Sequence, residues 1–254
     1  MIHSSAIVDP QARVHESVEV GPYCIIGAGV EIGAGTRLGS HVVVQGSTRI
    51  GRDNHIHPYC CIGGDPQDKK FAGEQSSLEI ADRNTIREFC TFNRGTSGGG
   101  GVTRIGSDNW IMAYVHVAHD CQVGSHVTMA NGATLAGHVA VEDHVTFGAF
   151  TMVHQFCAVG AHSFFAMGTV VFKDVPPYLM VSGNSAEPHG LNSEGLRRRG
   201  FSAAAVRGLK HAYRCLYRQG LGLEQAVEQV AAIRTPEASH MAAFIRASTR
   251  GIIR

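Results

Sequence analysis

Residues 20–39 read VGPYCIIGAGVEIGAGTRLG, and an aliphatic residue returns at every sixth place: Val20, Ile26, Ile32, Leu38. The phase runs back through Val14 and Val8 to Ile2, and forward through Val44, Ile50 and Ile56 to Ile62. It resumes at Ile80, Ile86 and Phe92. It resumes again at Ile105 and continues through Ile111, Val117, Val123, Met129, Leu135, Val141, Phe147, Val153, Val159 and Phe165 to Val171. Six is a multiple of the two-residue strand period and not of 3.6, which excludes helix and implies short strands joined by turns. Glycine often follows the aliphatic residue (21, 27, 33, 39, 51, 63, 106, 124, 148, 160), as fits a turn that needs room or a positive φ. Three hexads make a coil of about eighteen residues, and stacked coils make a parallel β-helix with the aliphatic ladder inside. At about 4.8 Å per coil, roughly nine coils give a prism about 43 Å long.

The cysteines fall into this register. Cys24, Cys60, Cys90, Cys121 and Cys157 each lie four places after an aliphatic step, the second inward position, and so read as small buried hydrophobes rather than as a disulfide framework. The ladder breaks twice, at 64–79 (GDPQDKKFAGEQSSLE) and 95–104 (GTSGGGGVTR), which the period predicts to be loops thrown out of the prism. Loops on a rigid scaffold are where binding residues tend to sit. The pattern changes after Pro176 and Pro177. From about 192, Val206, Leu209, Tyr213 and Leu216 follow helical spacing, then LEQAVEQVAAI, then PEASHMAAFI. The expected organisation is a mainly β chain, a β-helix over 1–190 with two insertions, and an α-helical segment over 191–254.

With 44% hydrophobic and 17% charged residues among 254, the chain reads as folded and soluble. Its first residues, MIHSSAIVDPQARV, lack the charged and apolar regions of a signal peptide, and no apolar run approaches the length of a membrane span. The expected location is the cytoplasm. The net charge of +1 hides an asymmetry: residues 192–254 carry 11 Lys+Arg against 4 Asp+Glu. A basic end on a mildly acidic body suggests a phosphate-bearing ligand or an acidic protein partner. Neither nucleic acid nor a membrane span belongs to this reading.

The chemistry concentrates in HVAHDCQVG, His116 to Gly124. Local spacing admits a metal site, a thiol beside its base, a histidine base with a carboxylate next to it, or plain surface histidines. In a β-helix, residues one coil apart lie one above another, so His119 shares an edge with Gly137 and Gln155, and Asp120 with His138. His154 adjoins Gln155. A histidine, a glycine with an unencumbered N–H and a glutamine on one edge can deprotonate a hydroxyl, cradle an oxyanion and hydrogen-bond a sugar. A zinc site needs three or four ligands converging within about 2.3 Å; His126, His144 and His162 instead form a ladder on one face, read as a surface or subunit-contact stack. No metal is expected.

The repeat resembles the left-handed hexapeptide β-helix, a fold shared by several enzyme classes. HVAHDC, AGHV, VHQFC, KDVPPY, QDKKFAGE and GLNSEGLRRRGF together resemble the UDP-N-acetylglucosamine O-acyltransferase family over nearly the whole chain. The resemblance implies a homotrimer with active sites between subunits and no cofactor. It also implies transfer of a 3-hydroxyacyl group from acyl carrier protein to the glucosamine 3-hydroxyl of UDP-N-acetylglucosamine, the first step of lipid A biosynthesis. Carried over by residue, His119 is the general base, Asp120 orients it and Gly137 supplies the oxyanion N–H. His138, His154 and Gln155 line the sugar site beside His116. Asp68 and Lys70 reach the substrate from the first loop. Asn192, Glu194, Arg198 and Arg199 meet the nucleotide, although Arg197 to Arg199 also fit a solvated charge run. Met167 stands where members using longer chains carry glycine, and so reads as a ruler favouring a 3-hydroxydecanoyl donor, ordinary core filling being the alternative. Another hexapeptide acyltransferase, such as the N-acyltransferase of the same pathway, stays open, although that family adds an N-terminal uridine-binding domain and here the ladder starts at Ile2. A non-catalytic scaffold also stays open, as does a 3-amino analogue of the acceptor.

Overall fold

In the computed structural model, which describes residues 1–254, the hexads become two-residue strands with one residue outward and one inward. Arg37–Leu38, Glu31–Ile32 and Thr128–Met129 show the pattern, the second residue of each being buried. Each of these strands pairs in parallel with the strand one coil away, as Ile7 with Ile25 and His116 with Thr134. Three sheets of nine, eight and ten strands result, and they are the faces of a triangular prism. The first sheet holds His116, Thr134 and Met152; the second holds Gln122, Ala140 and Ala158; the third holds Thr128, Thr146 and Phe164. From Val20 onward the ladder residues are buried, in one continuous core with the five in-register cysteines. Ile2 is exposed, and Val8 and Val14 are half-buried, because no coil stacks beneath them.

The corners refine the expectation about turns. The glycine after the ladder residue serves mainly for room. A Cβ on Gly33 would lie 2.7 Å from the Gly51 carbonyl oxygen one coil on, and one on Gly106 would lie 2.5 Å from that of Gly124. The left-handed backbone falls two places later, at Tyr23, His41, Asp53, Asp120, His126, His138, His144 and His162 among others, with φ between 54° and 65° in every non-glycine corner before Tyr178. The neighbouring coil over-determines this conformation: the His138 N–H donates to the His119 carbonyl at 3.0 Å, and the His144 N–H to Ser125 at 2.9 Å. The corner side chains then stack in columns, His126 on His144 on His162 at 4.7 and 4.8 Å.

Both excursions leave the corner between the first and second sheets, and both are shorter than the sequence predicts. Strands cover Cys61–Gly64, Ser77–Ile80 and Val102–Ile105, so the ends of 64–79 and 95–104 are strand. Alternation in Ser77–Ile80 and Val102–Ile105 already carried that signal, and the pairing of Glu79 with Arg49 and Arg104 completes it. Residues 65–76 and 94–101 remain outside the sheets, with a 3₁₀ turn at Ser97–Gly99.

At the far end, Leu179–Ser182 extends the third sheet and Glu187–Leu191 returns antiparallel. Four helices follow: α1 (Ser193–Arg198), α2 (Ala203–Tyr217), α3 (Leu223–Ala231) and α4 (Pro236–Ala247). Asn192, Ser202 and Thr235 cap α1, α2 and α4 with side-chain oxygens, and Pro236 opens α4 at its first position. Leu209, Tyr213 and Leu216 form the buried stripe of α2, while Val206 is half-buried. The chain end closes back on the prism, Ile252 bridging Asp174 and Ser248 donating to the Asp174 carboxylate at 2.6 Å.

Candidate active site

After the strand His116–Val117 the chain turns the corner through Ala118, His119 and Asp120, the last at φ 61°. His119 Nδ1 donates to Asp120 Oδ2 at 2.8 Å. The Asp120 side chain is wholly buried. Its Oδ1 accepts the Thr96 N–H at 2.9 Å, and its Oδ2 the Thr96 hydroxyl at 2.6 Å. Buried carboxylates need such donors. With Nδ1 engaged, Nε2 is the nitrogen His119 has left for a ligand.

That ring lies against Gly137, one coil on. A Cβ there would fall 2.5 Å from Cε1 and 2.7 Å from Nε2, so any side chain at this position displaces the ring. The Gly137 N–H donates to no acceptor within the chain. One coil further, His154 and Gln155 are exposed on the same edge. His138 meets His119 edge-on at 5.0 Å and stacks on Phe156 at 4.3 Å. Burial lowers the His138 pKa, against the opposing charges of Asp120 and Asp68. Asp68 is half-buried, its carboxylate accepting the Lys70 N–H at 3.0 Å, with the Lys70 side chain in solvent. His116 Nδ1 is 2.7 Å from the Thr91 hydroxyl, and burial lowers its pKa as well. His116 and His138 thus favour neutral imidazole, the form that accepts hydrogen bonds from a sugar.

Two rival readings of HVAHDC meet specific obstacles. Nitrogen and oxygen atoms of His119, Asp120 and His138 lie within 4.8 Å of one another, as a metal would require. Yet both carboxylate oxygens already accept hydrogen bonds, and His138 Nε2 stands 3.8 Å from Oδ2. Cys121 is fully buried, its thiol donating to the Ala136 carbonyl at 3.1 Å, and burial pushes its pKa up to about 12. It has neither the exposure nor the thiolate character of a nucleophile.

The remaining expected residues lie elsewhere on the chain. Asn192, Glu194, Arg198 and Arg199 border a cleft of about 820 Å³ against Thr146, Phe164 and Met180 of the third sheet. Asn192 builds this wall, its amide oxygen capping α1 at Gly195 and its NH₂ donating to the His162 carbonyl at 2.9 Å. Glu194 is engaged by Arg197 and Arg198, which hold its carboxyl down to about 2. Arg199 has no carboxylate partner and is partly desolvated beside His144 and His162. Met167 lies at the corner after the third sheet, next to Gly168 (φ 72°), and is 74% exposed. It is not core filler, and within one chain it does not share the His119 edge. The sequence reading missed Thr96, together with Gly99, where a Cβ would strike the Asp120 carboxyl carbon at 2.1 Å. The glycine run 98–101 was the available signal for close backbone approach.

Residues 1–34 and 103–137 match the family model described as bacterial transferase hexapeptide (six repeats), and residues 174–253 match UDP N-acetylglucosamine O-acyltransferase, domain 2. An acyl-[acyl-carrier-protein]–UDP-N-acetylglucosamine O-acyltransferase of Janthinobacterium sp. (strain Marseille) is 55% identical, over 100% of this chain and 99% of that protein.

The chain belongs to the UDP-N-acetylglucosamine O-acyltransferase family.

A second family member, from Herminiimonas arsenicoxydans, is 53% identical over the same shares. Among solved structures, the UDP-N-acetylglucosamine acyltransferase of Francisella novicida superposes with a TM-score of 0.98 at 43% identity, covering 100% of this chain and 94% of that one. LpxA of Acinetobacter baumannii superposes at 0.97 and 46% identity, covering 100% and 99%. The family places the chain among acyltransferases, and its fold is the expected left-handed parallel β-helix with a few helices at the C-terminal end. No helix is long and apolar enough to cross a membrane.

Proposed function

We propose that this chain transfers a 3-hydroxyacyl group from acyl carrier protein to the 3-hydroxyl of UDP-N-acetylglucosamine, opening lipid A biosynthesis, with His119 as general base. The observation that carries the reading is the His119 ring, fixed through Nδ1 by buried Asp120 and pressed by its Nε2 side against Gly137. Nε2 takes the proton of the sugar hydroxyl as the oxygen attacks the thioester carbonyl. The Gly137 N–H receives the oxyanion. Collapse breaks the C–S bond, and the imidazolium returns the proton to the departing thiolate of the carrier. Direct attack needs no acyl-enzyme and no cofactor. His116, His138, His154 and Gln155, with Asp68 and Lys70 above them, hold the sugar.

The nucleotide residues and Met167 lie away from this corner, which favours a site completed by a neighbouring chain in a homotrimer. On that arrangement Asn192, Glu194, Arg198 and Arg199 shape a nucleotide cleft in which Arg199 is the cation left for the diphosphate. Met167 then closes the acyl groove and favours 3-hydroxydecanoyl over 3-hydroxymyristoyl donors. Overfilling an apolar slot gives roughly 10- to 150-fold discrimination.

The test is His119→Ala, assayed for transfer from 3-hydroxyacyl carrier protein. Loss of a general base lowers the rate by about 10²–10⁴-fold while the fold persists. A variant keeping more than half of the parent turnover removes the assignment. Chelators are expected to leave the parent rate unchanged, and inhibition reversed by zinc would reinstate the metal reading.

A further inference from the structure

Thr96 occupies the N-cap position of the 3₁₀ turn Ser97–Gly99, with extended backbone at φ −123°, yet its side chain accepts no capping hydrogen bond. A threonine there ordinarily turns its oxygen to the free N–H groups of the first turn. Here the hydroxyl points the other way and donates to Asp120 Oδ2 at 2.6 Å, while the Thr96 N–H donates to Oδ1 at 2.9 Å. The same Oδ2 receives His119 Nδ1. The turn is fitted to this carboxylate: Cβ atoms on Gly95 and Gly99 would lie 2.8 and 2.1 Å from its atoms, so a backbone without side chains closes over it. From below, the Asp120 N–H is held by the Thr103 hydroxyl at 2.8 Å. On its outer side the turn is moored to the first excursion, Glu74 accepting the Ser97 hydroxyl at 3.2 Å.

We infer that Thr96 is a positioning residue for acyl transfer: its hydroxyl fixes which carboxylate lone pair meets His119 Nδ1, and so aims Nε2 at the acceptor hydroxyl. The inference rests on His119 being the base. Without the Thr96 hydroxyl the carboxylate is free to turn and the base is less well aimed, an effect that involves no contact with the sugar nucleotide.

The experiment compares Thr96→Val, Thr96→Ala, Thr96→Ser and His119→Ala as full-length enzymes, measuring kcat, the KM for UDP-N-acetylglucosamine and the melting temperature. Thr96→Val is expected to lower kcat by roughly tenfold or more, the usual scale for a lost hydrogen bond to a charged group, with KM within twofold. Thr96→Ala behaves likewise and covers the case in which valine does not fold, while Thr96→Ser restores kcat. An unchanged kcat in the valine and alanine variants, even with a lowered melting temperature, makes Thr96 a structural residue only and overturns the inference. So does a serine variant as impaired as alanine. An active His119→Ala overturns instead the general-base reading beneath it.

Discussion

Gly137 shows how little tolerance the site has for a single atom. The methyl of Gly137→Ala falls 2.5 Å from His119 Cε1, closer than real contacts allow. The ring must swing away, and the bond from Nδ1 to Asp120 must bend with it. We expect Gly137→Ala to melt within a few degrees of the parent, because the methyl meets only the His119 ring, which can turn away, and to lose at least tenfold in kcat, because misplacing a base by about 1 Å costs on the order of a hundredfold. Parent-like kcat would mean that the ring does not work in this position. The pairing of His119 with Gly137 is legible in the sequence, since a period of six folded three times fixes which residues stack. Thr96 is not legible, because it sits in an excursion that suspends the period and only the folded backbone returns it to Asp120. Its neighbours, four consecutive glycines from 98 to 101, read equally well as a floppy linker.

At the level of elements, the corner column His126, His144, His162 behaves differently along its length. His162 lies under Tyr178 at 5.5 Å and edge-on to Phe201 at 5.0 Å, where the helical segment meets the last coils. Burial there, reinforced by His144 and Arg199, lowers its pKa to about 4. A histidine whose folded pKa is depressed stabilises the fold above its unfolded pKa, and that stability is lost as pH falls from about 6.5 toward 4. We expect denaturant midpoints to drop over that window and the drop to shrink in His162→Phe, which keeps the stacking without the proton. Equal acid sensitivity in both proteins would place the titration elsewhere. His240 carries the opposite sign: Glu142, 3.0 Å away, raises its pKa, so this contact between α4 and the prism weakens as pH rises past the folded value. Strand positions were readable because their alternation is strict. Corner conformation was not, because tyrosine, histidine, aspartate and arginine all adopt the left-handed turn and share no propensity for it.

The whole molecule divides its charge and its site between the prism and the helical segment. The helical segment carries the positive excess, and Arg199 faces its cleft without a carboxylate partner, whereas Arg197 and Arg198 share Glu194 in exposed pairs of small energetic value. We therefore expect Arg199→Ala to raise the KM for the sugar nucleotide more than Arg198→Ala does, and added salt to raise the parent KM in the same direction. Equal effects would mark both arginines as general surface charge. Met167→Gly is expected to shift donor preference toward 3-hydroxymyristoyl, and unchanged selectivity discards the ruler. That these residues belong to one reaction came from the resemblance of motifs, since no period links residues on different prism edges to a cleft under a helix. In the proposed site the His119 edge of one chain meets the Arg199 cleft of another. The most direct measurement co-assembles two impaired proteins, His119→Ala and Arg199→Ala, and follows acyl transfer at low UDP-N-acetylglucosamine. Mixed assemblies contain sites that draw an intact His119 and an intact Arg199 from different chains, and activity is expected to rise well above the sum of the two parents. A mixture no better than that sum, or a His119→Ala parent that is already active, contradicts the account.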